Sequence, residues 1–259
     1  MAKDTATYLY GVVKSARRPA VARAPDGLAG ATRPDIREVG KGLWLIAAEV
    51  PLAEYGPGRL EPRLQDLDWV AGVAVAHEAV VEHFSRRAAA TVIPAKLLTM
   101  FSTMDKALAD VRGRRAVIDR AMKRIAGCEE WGVRITRRPG AAAAPAAASG
   151  SAPASGVAFL AARKAARDAT ASARAAAAAA AEETYRALAR RARAATSRER
   201  RPEPGTNPPI LEAAFLVTAK GRATFKAEAR RQSAACRAAG ADLALTGPWP
   251  AYNFVGDQT

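Results

Sequence analysis

Apolar positions along the chain alternate with polar ones in some runs and recur at helical spacing in others, and the two rhythms interleave. Residues 6–14, with Tyr8, Leu9, Tyr10, Val12 and Val13, are rich in β-branched and aromatic side chains and predict a first strand. Residues 36–39 and 43–50 flank Gly40-Lys41-Gly42, turn residues that suit a hairpin, and Pro51 closes the second run. The stretch 68–86 carries Val70, Val73, Val80, Val81 and Phe84 among alanines, and reads as a strand or helix start followed by a short helix. Residues 90–100 read as a further strand. Ser102-Thr103-Met104-Asp105 then caps a helix that places Leu108, Val111, Val117, Ile118, Met122 and Ile125 near one face and ends at Gly127. Residues 130–136 alternate as a strand through Trp131, Val133 and Ile135.

Residues 139–156 hold Pro, Gly, Ala and Ser and no large apolar side chain, the composition of a linker. From 157 to 200 there is no proline or glycine, and Ala, Arg, Lys and Glu predominate, so one long helix is expected. Unbroken, it would span about 65 Å at 1.5 Å per residue, so it either folds back near residues 175–181 or projects. A proline-rich break at 201–209 precedes a strand at 210–218, a helix at 224–239 and a strand at 241–246. The expected fold class is therefore α+β, with two domains that each back a small sheet with helices in ferredoxin-like fashion. Their expected limits are 1–138 for the N-terminal domain, 139–156 for the linker, and 157–259 for a C-terminal domain with the long helix and an aromatic tail.

The net charge of +15 rests on 40 Lys and Arg against 25 Asp and Glu. The excess is shared by the parts on either side of Arg138, so no dedicated nucleic-acid arm stands out. The abundance of Arg and Ala fits a GC-rich coding sequence as well as a polyanion-binding surface. Two cysteines, Cys128 and Cys236, form no Cys-x-x-Cys pair, and no secretory leader is seen, which points to a reducing, cytoplasmic setting. No run reaches the ~18 apolar residues that span a bilayer, so a membrane partner is not expected.

Candidate chemistry is sparse. His77 and His83 are six apart, so on a helix their rings diverge instead of sharing the face that a metal site needs, and His77 reads as structural. No phosphate loop, nucleophile elbow or dinucleotide fingerprint is present. Glu129 and Glu130 are adjacent and would face opposite sides of a strand, and Cys128 beside them reads as a small packed residue. The expectation is a protein that is not an enzyme, with no cofactor and no small-molecule substrate. The arginines between 186 and 201 could track phosphates, but Tyr185 is their only aromatic neighbour, so a solvated helix face is the preferred reading and a basic nucleic-acid-binding protein the alternative. The densest aromatic stretch is 245–255, where Pro248 and Pro250 bracket Trp249 and Tyr252 and Phe254 follow. These rings either cover the protein's own core or offer a surface to an apolar partner.

These residues resemble the gas vesicle GvpF/GvpL family. The family's C-terminal Thr-Gly-Pro-Trp-Pro-Pro-Tyr-x-Phe is present as 246–254, with Ala251 at the second proline of its pair. Tyr8-Leu9-Tyr10-Gly11-Val12-Val13 is similar to its first strand, Glu130-Trp131-Gly132-Val133 to its Glu-Trp-x-Val, and Ala214-Phe215-Leu216-Val217 to its second-domain strand. Residues 92–99 align with Val-x-Pro-x-Arg-x-Gly-Thr, with Lys96 and Leu98 standing where the family has Arg and Gly. The resemblance implies two α+β domains of modified ferredoxin-like form. It also implies an accessory, chaperone-like assembly factor, cytoplasmic and associated with the gas vesicle, that binds the hydrophobic shell protein GvpA and other accessory proteins. Candidate partner-binding residues are Tyr8, Tyr10, Lys96, Trp131, Trp249, Tyr252 and Phe254.

Overall fold

The computed structural model describes residues 4–86, 90–138, 156–197 and 208–255. The chain divides into two compact units, residues 1–127 with 249–259, and residues 128–248.

The first unit is built on β1 (Thr5–Lys14), whose eight central residues are all buried. Such a continuous apolar run needs cover on both faces of the sheet. β2 (Asp35–Gly40), β3 (Leu43–Pro51) and β4 (Thr91–Pro94) give the order β2-β3-β1-β4, and the short β5 (Met100–Phe101) also pairs with β1. Two four- and seven-residue helices, α1 (Leu52–Tyr55) and α2 (Pro57–Arg63), lead into α3 (Leu67–Ser85). On one face of the sheet Tyr8, Tyr10 and Val13 pack with Val73, Val80, Val81 and Phe84 of α3. On the other, Leu9 and Val12 pack with residues of α4 (Met104–Gly113) and α5 (Arg115–Ile125), among them Val111, Ile118 and Met122. Each such side chain contributes ~1.5–3 kcal/mol on full burial. Leu9 pairs with Ala47 but Gly11 with Ile46, so Tyr10 is an extra residue. This bulge puts Tyr8 and Tyr10 on the same face as Val13, which strict alternation would have sent to the other.

Three sequence expectations change here. Residues 67–85 form one helix with no strand, because the Asp66 side chain caps it by accepting from the N–H groups of Asp68 and Trp69, and Val73, His77, Val80, Val81 and Phe84 make a single helical stripe. The helix expected after Met104 is two, since Gly113 and Arg114 break it, with Arg114 at φ −95° and ψ 14°. The strand expected at 90–100 pairs only at its two ends, and residues 95–99 loop out between β4 and β5.

The second unit runs β6 (Cys128–Arg137), α6 (Gly156–Ala189), β7 (Ala194–Ser197), β8 (Leu211–Thr218), α7 (Arg222–Ala238) and β9 (Ala241–Trp249). Its sheet order is β7-β8-β6-β9, the first and third strands lying at the centre. A strand-helix-strand pair repeated in this order is the ferredoxin-like arrangement. Trp131, Val133 and Ile135 of β6 and Ala213, Phe215 and Val217 of β8 form the core with Ala177, Ala181 and Leu188 of α6 and Phe225, Ala229 and Cys236 of α7. α6 neither folds back near residues 175–181 nor continues to residue 200; it ends at Ala189, and residues 194–197 form β7 instead.

The unit limits also differ from those read in the sequence. β6 hydrogen-bonds into the second sheet, so that unit starts at residue 128 and not after a linker, and the aromatic tail from residue 249 counts with the first unit. Most of the expected linker, 139–155, lies outside the described residues, as do 201–207 of the proline-rich break. In chain order the linker falls inside the crossover from β6 to α6. Among the described residues no helix is long and apolar enough to cross a membrane.

Candidate functional site

The loop between β4 and β5 is held at both ends by β1. Ala95 N–H donates to Tyr10 O at 2.9 Å, and Leu9 N–H donates to Thr99 O at 2.9 Å. Within the loop Leu98 has φ +62°. That left-handed conformation costs a residue with a Cβ ~1–2 kcal/mol and favours glycine, which accounts for the glycine at this place in the motif that residues 92–99 resemble. At Gly11 a Cβ would lie 2.6 Å from Ile93 O, so only glycine permits this approach of β1 and β4.

Beside this loop the first unit has a cavity of about 230 Å³. Leu9, Val12 and Ile93 line it from the sheet, and Val111, Val117 and Ile118 from α4 and α5. Lys96, Arg114 and Tyr252 contribute its polar groups, and Ala121 and Val255 complete the apolar wall. Lys96 is exposed. The Arg114 guanidinium pairs with Asp110 one helical turn earlier, while its Nε is buried with no hydrogen-bond partner among the described residues. An apolar recess edged by two cations can seat an apolar side chain that has an acidic neighbour.

Tyr252 is anchored at this place by its hydroxyl, which donates to Glu78 Oε2 at 2.5 Å. Burial pushes the Glu78 carboxyl above its usual value, with the Tyr252 hydrogen bond acting in the opposite direction. On the other face of β1, Tyr8 OH lies 2.8 Å from His77 Nδ1 and Tyr10 OH accepts the N–H of Leu28 at 3.0 Å. Leu98 N–H donates to Tyr8 OH at 3.4 Å, and His77 Nε2 is buried with no hydrogen-bond partner among the described residues. Burial pulls His77 down to about 4, so the ring is neutral.

Of the seven residues nominated from the sequence, the structure brings Lys96 and Tyr252 together at the cavity. Tyr8 and Tyr10 are fully buried and serve the core beneath α3, so they cannot touch a partner directly. Trp131 is buried in the second unit, its ring 6.3 Å from that of Phe225 and 5.6 Å from Lys226 Nζ. Phe254 is buried too. Trp249 is exposed, at 43% of its surface. Leu9, Val12, Ile118 and Arg114 were not nominated. The alternation of β1 already sets Leu9 apart from Tyr8 and Tyr10, but Arg114 carries no signal beyond following Gly113.

This architecture of two helix-backed antiparallel sheets is shared by solved gas vesicle proteins. GvpF from Anabaena sp. PCC7120 superposes with a TM-score of 0.68 at 15% identity, covering 98% of this chain and 100% of that one. GvpF from Microcystis aeruginosa gives 0.61 at 12% identity, covering 96% and 98%. The curated "Gas vesicle protein L" of Streptomyces sp. (strain CB03234) is 32% identical over 271 residues, 99% of this chain and 95% of that protein. The family model described as "Gas vesicle synthesis protein GvpL/GvpF" matches residues 6–256. The chain belongs to the GvpL/GvpF family of gas vesicle proteins.

Proposed function

We propose that this chain is a non-catalytic assembly factor that binds the shell protein GvpA in the cytoplasm and keeps it from aggregating while a vesicle nucleates, with other gas vesicle accessory proteins as further partners. The observation that carries the reading is the apolar cavity of about 230 Å³ edged by Lys96 and Arg114, in a member of a gas vesicle synthesis family. A subunit destined for an apolar-lined wall exposes apolar surface before it is incorporated, and a partner that covers this surface keeps it dispersed. The cavity offers the apolar contact; the two cations select an acidic neighbour and speed encounter. Trp249, exposed in the aromatic tail, offers a further apolar contact.

Amide hydrogen exchange of the full chain with and without GvpA tests the site. Binding there slows exchange at residues 95–99 and 111–121. Protection confined to residues 128–248 overturns the assignment.

A further inference from the structure

The longest element of the protein is packed along only part of its length. In α6 the buried residues are Ala177, Ala181, Thr184, Ala187 and Leu188, all in its C-terminal part. From residue 156 to 176 no side chain is buried, and only Ala166, Thr170 and Ala173 are even half-covered. At 1.5 Å per residue this leaves ~30 Å of helix without cover from the described residues.

That free stretch is patterned. Residues 166, 170 and 173 continue, at spacings of three and four, the stripe that residues 177, 181, 184 and 188 bury lower down. Phe159 and Ala162 extend the same stripe to the start of the helix. Phe159 and Leu160 are 51% and 64% exposed, and Val157 is 78% exposed. Large apolar side chains clustered in one turn of an uncovered helix make an unsatisfied surface. Along one edge of the stripe stand Arg163, Arg167 and Arg174, spaced so that they fall within about 40° of one another at 100° per residue. Lys164 lies further round, and the single acid among these turns is Asp168. None of the four cations has an ion-pair partner among the described residues.

We infer that the first five turns of α6 dock an acidic amphipathic helix of a partner protein. The small alanines let a second helix approach closely, Phe159 and Leu160 supply the apolar anchor, and Arg163, Arg167 and Arg174 pair with acids beside the partner's apolar seam. A second copy of this chain is a poor occupant, because it brings the same arginines and a net charge of +15 against them. Nucleic acid would match the charge but would leave Phe159 and the alanine stripe without a role. The surface belongs to the second unit and the cavity to the first, so the inference goes beyond GvpA capture and does not depend on it.

The experiment uses the full chain and a labelled 21-residue helical peptide with a Leu/Ala seam flanked by Glu, read by fluorescence anisotropy at two salt concentrations. The expected result is micromolar binding that weakens with salt, falls at least tenfold in R163E/R167E/R174E, falls in F159A, and is absent for the same peptide with Lys in place of Glu. All four residues are exposed, and an unchanged melting temperature confirms that the variants fold. No binding of the Glu peptide, or binding that the charge reversal leaves intact, overturns the inference. So does a labelled DNA duplex that binds more tightly and displaces the peptide.

Discussion

The hydroxyl of Tyr252 donates to the half-buried carboxylate of Glu78 at 2.5 Å, across 174 positions of sequence. The bond ties the C-terminal segment to α3 and places Tyr252 at the cavity, so the aromatic tail, expected from the sequence in the C-terminal domain, is part of the first unit.

Removing that bond leaves a half-buried carboxylate short of its donor, since Glu78 Oε1 has no hydrogen-bond partner either. Tyr252→Phe is therefore expected to cost about 1–2 kcal/mol in chemical denaturation. Glu78→Gln keeps an acceptor for Tyr252 and discards a charge that burial disfavours. It is expected to change stability by less than about 1 kcal/mol. Equal losses in the two variants would contradict this account of the contact.

His77 makes stability depend on pH. Its folded value of about 4 lies below the ordinary 6.5, so between these values the unfolded chain binds more protons than the folded one. Stability is then fully present above pH 6.5 and declines as pH falls towards 4, by on the order of 3 kcal/mol. Glu78, whose folded value is raised, opposes part of this decline, because the folded state keeps that proton to higher pH. Melting temperatures between pH 7 and pH 4 should fall less steeply in His77→Gln than in the parent. Parallel profiles would show that His77 is not the group responsible.

Leu98 holds a left-handed conformation, at the place where the motif that residues 92–99 resemble has glycine. Leu98→Gly relieves that strain while removing a half-buried side chain, and the net change is expected to stay within about 1 kcal/mol. Leu97→Gly, with no positive φ to relieve, is expected to cost about 2–3 kcal/mol. A loss at Leu98 as large as that at Leu97 would mean that side-chain packing, not backbone strain, governs the loop.

Much of this fold can be read from the sequence where local pattern and tertiary role agree. β1, the β2–β3 hairpin, β6, β8 and α7 follow from strand-like or helical runs, and Gly127 stands at positive φ at the turn after the helix it was expected to end. The α3 region misleads because valines favour strands locally, and only the Asp66 cap and the shared burial of Val73, His77 and Val80 make it one helix. The unit boundary misleads because composition shifts at residue 139, whereas β6 is assigned by its pairing with β8, more than seventy residues away in sequence. Lys96 and Tyr252 were nominated separately, from a motif and from aromatic density; their meeting at one cavity depends on long-range contacts that neither segment encodes alone. Tyr8, Tyr10, Trp131 and Phe254 stand in segments that resemble the family's motifs, and as large aromatic side chains they are buried in the core.

The central claim is that the cavity edged by Lys96 and Arg114 holds GvpA in dispersed form. The direct measurement is the fraction of GvpA left in the supernatant after centrifugation when it is co-expressed with the parent chain or with Ala121→Trp, which fills the half-buried wall of the cavity. The account predicts that the parent retains GvpA in solution and that the filled variant, folded and equally abundant, loses most of that retention. GvpA that stays dispersed with the filled variant, or pellets as completely with the parent as it does alone, would contradict it.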